Sequence, residues 1–141
     1  MTGANLPLLT ALVEQAPDAI IYCDLEGTIE IWNRAATALF GHGAAQAIGK
    51  SLDMIIPERF RAAHWAGFRR AVQSGMTKYH GQVMTTRATH ADGVKLYVDL
   101  SFGLIHDANG QVHGLMSIAR INASRGEALA AAPGKTCTRR L

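Results

Sequence analysis

Only two cysteines occur among the 141 residues, Cys23 and Cys137, far apart and without a CxxC pair. So few, so spaced, exclude a disulfide framework and a zinc site from expectation. No apolar run approaches the roughly 20 residues that a membrane-spanning helix requires. The opening MTGANLPLLTALVEQAPD lacks the basic start, long apolar stretch and small-residue cleavage site of a secretory signal, so a cytoplasmic protein is expected. Charge is also sparse. Acidic and basic residues make up 18% and the net charge is +3, with Arg125, Lys135, Arg139 and Arg140 gathered at the C-terminal end. No basic stripe with interleaved aromatics is present, and nucleic acid is not an expected partner. Catalytic motifs are missing as well: there is no GxSxG elbow, phosphate loop or HExxH, and His106-Asp107 falls in a turn with no nucleophile beside it. A non-enzymatic role is expected.

What is present is a globular composition, 48% hydrophobic, at a length that suits one domain with a real core. Leu8, Leu9, Leu12 and Val13 form one face of a short helix that runs into Pro17. Ala19 to Cys23 and Thr28 to Trp32 are β-prone runs around Asp24-Leu25-Glu26-Gly27, which reads as a hairpin turn. Asn33 is placed to cap a helix through Phe40, and Gly41, Gly43 and Gly49 bracket two shorter segments. A strand is expected from about His80 to His90, turning at Asp92-Gly93. Leu96, Val98, Leu100 and Phe102 then alternate with Tyr97, Asp99, Ser101 and Gly103, the two-residue period of a strand with one buried face. Asp107-Ala108-Asn109-Gly110 makes the turn into a last strand from Gln111 to Ile121. Beyond Asn122 periodicity ends, and residues 123–141 read as a flexible basic tail.

Between the two β regions lies PERFRAAHWAGFRRAVQSG, Pro57 to Gly75. Pro57 suits a first helical turn, and Gly75 a left-handed C-terminal cap. Phe60, Ala63, Gly67, Phe68 and Ala71 recur at helical spacing and predict the inward face. His64 falls in phase with them. An imidazole on such a face needs a partner, and a protein acceptor, a bound water or a metal would each serve.

Taken in order, AIIYCDLEGTIEIWNRAATALFG, AIGKSLDMIIPERFRAAHWAGFRRAVQSG, the ADG turn, LYVDLSF and DANGQVHG resemble a PAS domain, from about Leu6 to Asn122. The resemblance implies an α+β fold in which a five-stranded antiparallel sheet, short helices and one longer helix enclose a ligand cavity. It divides the chain into a cap helix over 1–17, the PAS domain over 18–122 and the tail. The helix around His64 is similar to that of the haem-binding PAS sensors of the FixL and DOS types. That likeness implies haem b as cofactor, with His64 as the proximal iron ligand and Arg70 on a haem propionate. Neutral imidazole is a good axial ligand, and a guanidinium pairs well with a carboxylate. Leu100 and Phe102 match positions lining the distal pocket. The distal arginine that stabilises bound oxygen in those sensors falls on Met84, which cannot donate a hydrogen bond. Met84 is then either a sixth ligand through its thioether, displaced by carbon monoxide or nitric oxide, or an apolar wall. The flavin light sensors of the superfamily need a reactive cysteine in an NCRFLQ-like segment, and NRAATALFG has none.

The expected function is therefore a sensory module, haem-based and responsive to a diatomic gas or to redox state, that passes its signal to a partner. Without haem, His64 and Arg70 become a core histidine and a solvated arginine. The alternative is then a PAS protein-interaction module, homodimeric through its sheet or the Leu8-Leu12 helix, or a pocket for a small metabolite.

Overall fold

The computed structural model describes residues 5–77 and 81–124. Helix α1 (Leu6–Glu14) leads into the hairpin β1 (Ala19–Asp24) and β2 (Ile29–Trp32). Helices α2 (Arg34–Phe40) and α3 (Ala44–Ala47), two 3-10 turns (Leu52–Ile55 and Glu58–Phe60) and α4 (Arg61–Ser74) follow. Strands β3 (Met84–Thr89), β4 (Lys95–His106) and β5 (Val112–Ile121) complete a five-stranded sheet in the order β2-β1-β5-β4-β3, antiparallel throughout.

Register assigns the faces. Ala19 stands opposite Ala119 and Cys23 opposite Leu115, while Leu100 stands opposite both Ala119 and Met84. Residues at alternate positions share a face, so Ala19, Ile21, Cys23, Leu115, Ala119, Val98, Leu100, Phe102, Met84 and Ala88 point one way. The connection between β2 and β3 covers that face with Ala36, Phe40, Ala47, Leu52 and Phe68, which join it in a single core.

Aspartates and glycines make the turns. Asp24 Oδ1 accepts from the N–H groups of Glu26 and Thr28 at 2.9 Å, and Asp107 Oδ1 repeats this with Asn109 and Gln111 at 2.8 and 3.0 Å. Each loop then closes on a left-handed glycine, Gly27 at φ 81° and Gly110 at φ 80°.

The structure differs from the sequence expectation in three places. The long helix starts at Arg61, not Pro57. Pro57 is extended at ψ 139°, and Glu58–Phe60 forms a 3-10 turn. Arg61 ties that turn down, donating from Nε to the Ile56 carbonyl and from Nη2 to the Asp53 carbonyl, both at 3.0 Å. The inward face is also rotated, because Phe60 and Ala63 are exposed while Trp65 and Val72 pack beside buried Phe68. Finally, β3 begins at Met84 rather than His80. His80, Cys137 and the basic tail from Arg125 onward lie outside the described residues.

Cys23 is 1% exposed. Burial, reinforced by the neighbouring Asp24 carboxylate, pushes its thiol up to about 12 from an ordinary 9.0. At pH 8 the folded protein should therefore alkylate at Cys23 about a thousand-fold more slowly than an unhindered thiol, because three pK units separate their thiolate fractions. Peptide mapping after iodoacetamide, with and without urea, measures this, and comparable labelling in both states would contradict it. The sign for stability follows. Between pH 9 and about 12 the folded state holds the proton that the unfolded chain has lost, so stability falls as pH rises through that window.

Candidate functional site

Helix α4 carries His64 half-buried, and its Nδ1 is a buried atom with no hydrogen-bond partner among the described residues. The ring lies edge-on to Trp65 at 4.6 Å between centres and tilted against Phe68 at 6.3 Å. Burial lowers the imidazole's pKa, and the Asp53 carboxylate opposes only part of that effect. His64 is thus held neutral at physiological pH, the form in which a ring nitrogen can act as a ligand.

Trp65 fixes the setting of the helix. Its Nε1 donates to Asp53 Oδ1 at 2.7 Å, and its six-membered ring lies on the backbone of Gly27 in the first hairpin. Helix phase pointed to Phe60 and Ala63, and Trp65 falls outside that local pattern. The contact that turns it inward spans 38 positions of sequence.

On the sheet, Met84 and Leu100 are direct cross-strand partners and Phe102 is two residues further along β4 on the same face. All three are half-buried, whereas neighbouring Val98 is only 1% exposed. Cover over the sheet is complete at Val98 and thins toward Met84, Leu100 and Phe102. Those three residues are brought together on the sheet, while the contacts of the His64 ring are with Trp65 and Phe68 on its own helix. Arg70 is not among them. It is exposed, and its Nη2 lies 3.7 Å from where a Cβ on Gly67 would sit, so the guanidinium runs along the helix.

Two features of the site were not anticipated from sequence. Among the described residues, the Asp53 carboxylate favours the charged imidazole of His64 and so opposes the effect of its burial. Arg87 on β3 has a buried Nε with no hydrogen-bond partner among the described residues and a guanidinium carbon 5.8 Å from the Phe60 ring centre. An open cleft of about 680 Å³ lies elsewhere, lined by Gly41, His42, Gln46, Lys50, Ser51, Met54 and Ala91, and none of the candidate residues borders it. Among the described residues no three His, Cys, Asp or Glu side chains gather as a metal cluster, and no helix is long and apolar enough to cross a membrane.

Comparison with known proteins is consistent with this architecture. The chain is 28% identical over 95 residues to the sensor protein FixL of Bradyrhizobium diazoefficiens, and 28% over 87 residues to the oxygen sensor protein DosP of Escherichia coli. Those alignments cover 67% and 62% of this chain but only 19% and 11% of the two relatives, so the chain spans a small part of each. The solved PAS domain of a Colwellia psychrerythraea protein superposes with a TM-score of 0.72 at 25% identity, over 83% of this chain and 96% of that one. An RNA-binding light-oxygen-voltage receptor shares the fold at a TM-score of 0.69 and 20% identity, over 86% of this chain and 34% of its own. Residues 13–124 match the PAS fold family, so sequence and architecture agree, and this protein belongs to that family.

Proposed function

We propose that this PAS domain is a haem-based sensor in which His64 supplies the axial ligand from α4. The observation that carries the reading is the His64 imidazole itself: half-buried, kept neutral by burial, and with a buried ring nitrogen that no group among the described residues satisfies. A structural histidine in such a place would ordinarily be hydrogen-bonded. The likeness to two sensor proteins supports the same reading. Haem, when bound, supplies an iron centre that takes a diatomic gas or changes oxidation state.

The chain's own residues do the rest. Trp65 and Phe68 hold the imidazole's orientation by ring contacts, and the Trp65–Asp53 hydrogen bond fixes the indole. Leu100 and Phe102 exclude water from the opposite side. Met84 offers a thioether at the same face, without a hydrogen-bond donor for bound oxygen. Arg70, exposed about 1.7 turns beyond His64, is free to swing from the helix surface to a propionate. The role is sensory rather than catalytic, in the cytoplasm, with output through a partner or a second copy.

The test is an absorption spectrum of protein expressed with ample haem, recorded oxidised, reduced and under carbon monoxide. A Soret band that shifts with redox state is expected, and His64→Ala should lose it. Met84→Leu should retain the band but alter the spectrum without carbon monoxide if the thioether is a ligand, and leave it unaltered if Met84 is a wall. A colourless wild type that takes up no added hemin would sink the proposal. The exposed Leu6, Leu8 and Leu12 of α1, at 67%, 51% and 59%, favour the second reading, an interaction module that dimerises through that helix. That reading predicts a colourless protein whose association is lost in Leu8→Glu.

A further inference from the structure

The cleft of about 680 Å³ is built from the end of α2, α3, the first 3-10 turn and the β3–β4 turn, and α4 contributes nothing to it. Its volume lies within the roughly 300–1,000 Å³ of small-molecule sites. Four of its lining residues, His42, Gln46, Lys50 and Ser51, carry hydrogen-bond donors, and no carboxylate lines it. Among the described residues Lys50 has no ion-pair partner. Gln46 Oε1 accepts from the Gly43 N–H at 3.1 Å and Ser51 Oγ from the Asp53 N–H at 3.1 Å, so each side chain spends its acceptor and keeps its donor. The acidic neighbours in sequence are engaged elsewhere: Asp53 Oδ1 accepts from the Trp65 indole and Asp92 Oδ1 from the Val94 N–H at 3.0 Å. Met54 and Ala91 supply an apolar wall.

The rim is held by backbone bonds on every side. The Trp32 indole donates to the His42 carbonyl at 2.9 Å and stands edge-on to the His42 ring. The Ala91 N–H donates to the Phe40 carbonyl at 2.8 Å, and Gly41, left-handed at φ 85°, lies so close beneath the His90 ring that a Cβ there would overlap it. Ile29 receives the Gly49 N–H and gives its own N–H to the Lys50 carbonyl, both at 2.8 Å. The cleft is thus preformed, and a ligand entering it would not have to order its walls.

We propose that this cleft binds a small organic anion, a carboxylate or phosphate head on a short apolar body, with Lys50 as its charge partner. A cation would meet Lys50 with no carboxylate to offset it. A wholly apolar ligand would strip water from four donors and return nothing. An oxyanion gives those donors acceptors and leaves its body to Met54 and Ala91. The site is separate from the His64 region and does not rest on the haem reading.

Titration of the full chain without hemin, followed by amide NMR at neutral pH and constant ionic strength, tests this. The probes are butyrate, butyl phosphate, inorganic phosphate, butanol and butylammonium. One or both organic anions should shift the amides of His42, Lys50, Ser51 and Ala91 saturably, and butanol and butylammonium should not. Butyrate alone would identify a carboxylate, butyl phosphate alone a phosphate ester. Lys50→Met should weaken binding about ten-fold, and Lys50→Arg should stay within about three-fold of the wild type. The same spectra report whether each variant is folded. No saturable shift with either anion, equal shifts with butanol, or unchanged affinity in Lys50→Met overturns the proposal. So does inorganic phosphate binding as tightly as butyl phosphate, which would mean an ion held by charge alone. With no hemin present, every result leaves the haem reading as it stands.

Discussion

Replacing Asn33 with alanine should destabilise the domain by about 3–5 kcal/mol, because one small side chain satisfies four backbone groups inside it. Asn33 is 2% exposed and is the buried polar residue of the core. Its Oδ1 accepts from the Ala36 N–H at 3.0 Å, capping α2, and from the Ile20 N–H at 2.9 Å in β1. Its Nδ2 donates to the Val13 carbonyl at 2.8 Å and to the Asp18 carbonyl at 3.0 Å. One residue thus joins α1, the turn after it, β1 and α2. Alanine leaves two N–H groups and two carbonyls without that partner, and the cap alone accounts for about 1 kcal/mol. For a chain of this size the melting temperature should fall by roughly 10 °C. Urea titration should show a lower midpoint with an unchanged slope, as expected when stability but not the exposed surface changes. Asn33→Ser, which can still cap Ala36, should recover about 1 kcal/mol. A loss under 1 kcal/mol in Asn33→Ala would mean that water replaces the side chain at little cost.

Asn33 also marks what was legible in the sequence. Its capping of α2 is a local bond over three positions and was readable from its place before a helical run. The bonds to Val13, Asp18 and Ile20 depend on how the chain folds back, and nothing local announces them. The same division runs through the molecule. Strand β4 was readable because burial on one face imposes a two-residue period on Leu96, Val98, Leu100 and Phe102. The turns were readable because Asp24 and Asp107 bond backbone groups two and four residues on. The start of β3 was not, since Gly81 to Val83 differ little in composition from the strand they precede, and pairing with β4 alone sets the boundary. In the candidate site, His64 was legible as a histidine in phase with an apolar helix face and Leu100 and Phe102 as one face of a strand, whereas Met84 entered through the family resemblance. Asp53 and Arg87 were not, because each acquires its meaning from a partner distant in sequence.

Substituting Gly27 with alanine should cost about 3–4 kcal/mol, whereas the same change at Gly110 should cost about 1 kcal/mol. The two glycines make a controlled pair. Their φ angles are 81° and 80°, so the strain of holding an alanine in the left-handed region is the same at both. Their surroundings differ. A Cβ on Gly110 would meet nothing within 4 Å, while one on Gly27 would overlap Cη2 of Trp65 and lie 2.6 Å from its Cζ3. The indole cannot easily withdraw, because its Nε1 is bonded to Asp53 and its ring packs on Phe68 at 5.2 Å between centres. The excess at Gly27 is thus the clash with Trp65, and it should vanish in a Trp65→Ala background, leaving the strain alone. Equal losses at the two glycines would show that the indole yields freely. The consequence reaches the candidate site, since the same indole stands edge-on to His64. If Trp65 orients that imidazole, Gly27→Ala should weaken hemin uptake as well as stability, and Gly110→Ala should lower stability alone. Denaturant titration and hemin titration of the two variants read these effects separately.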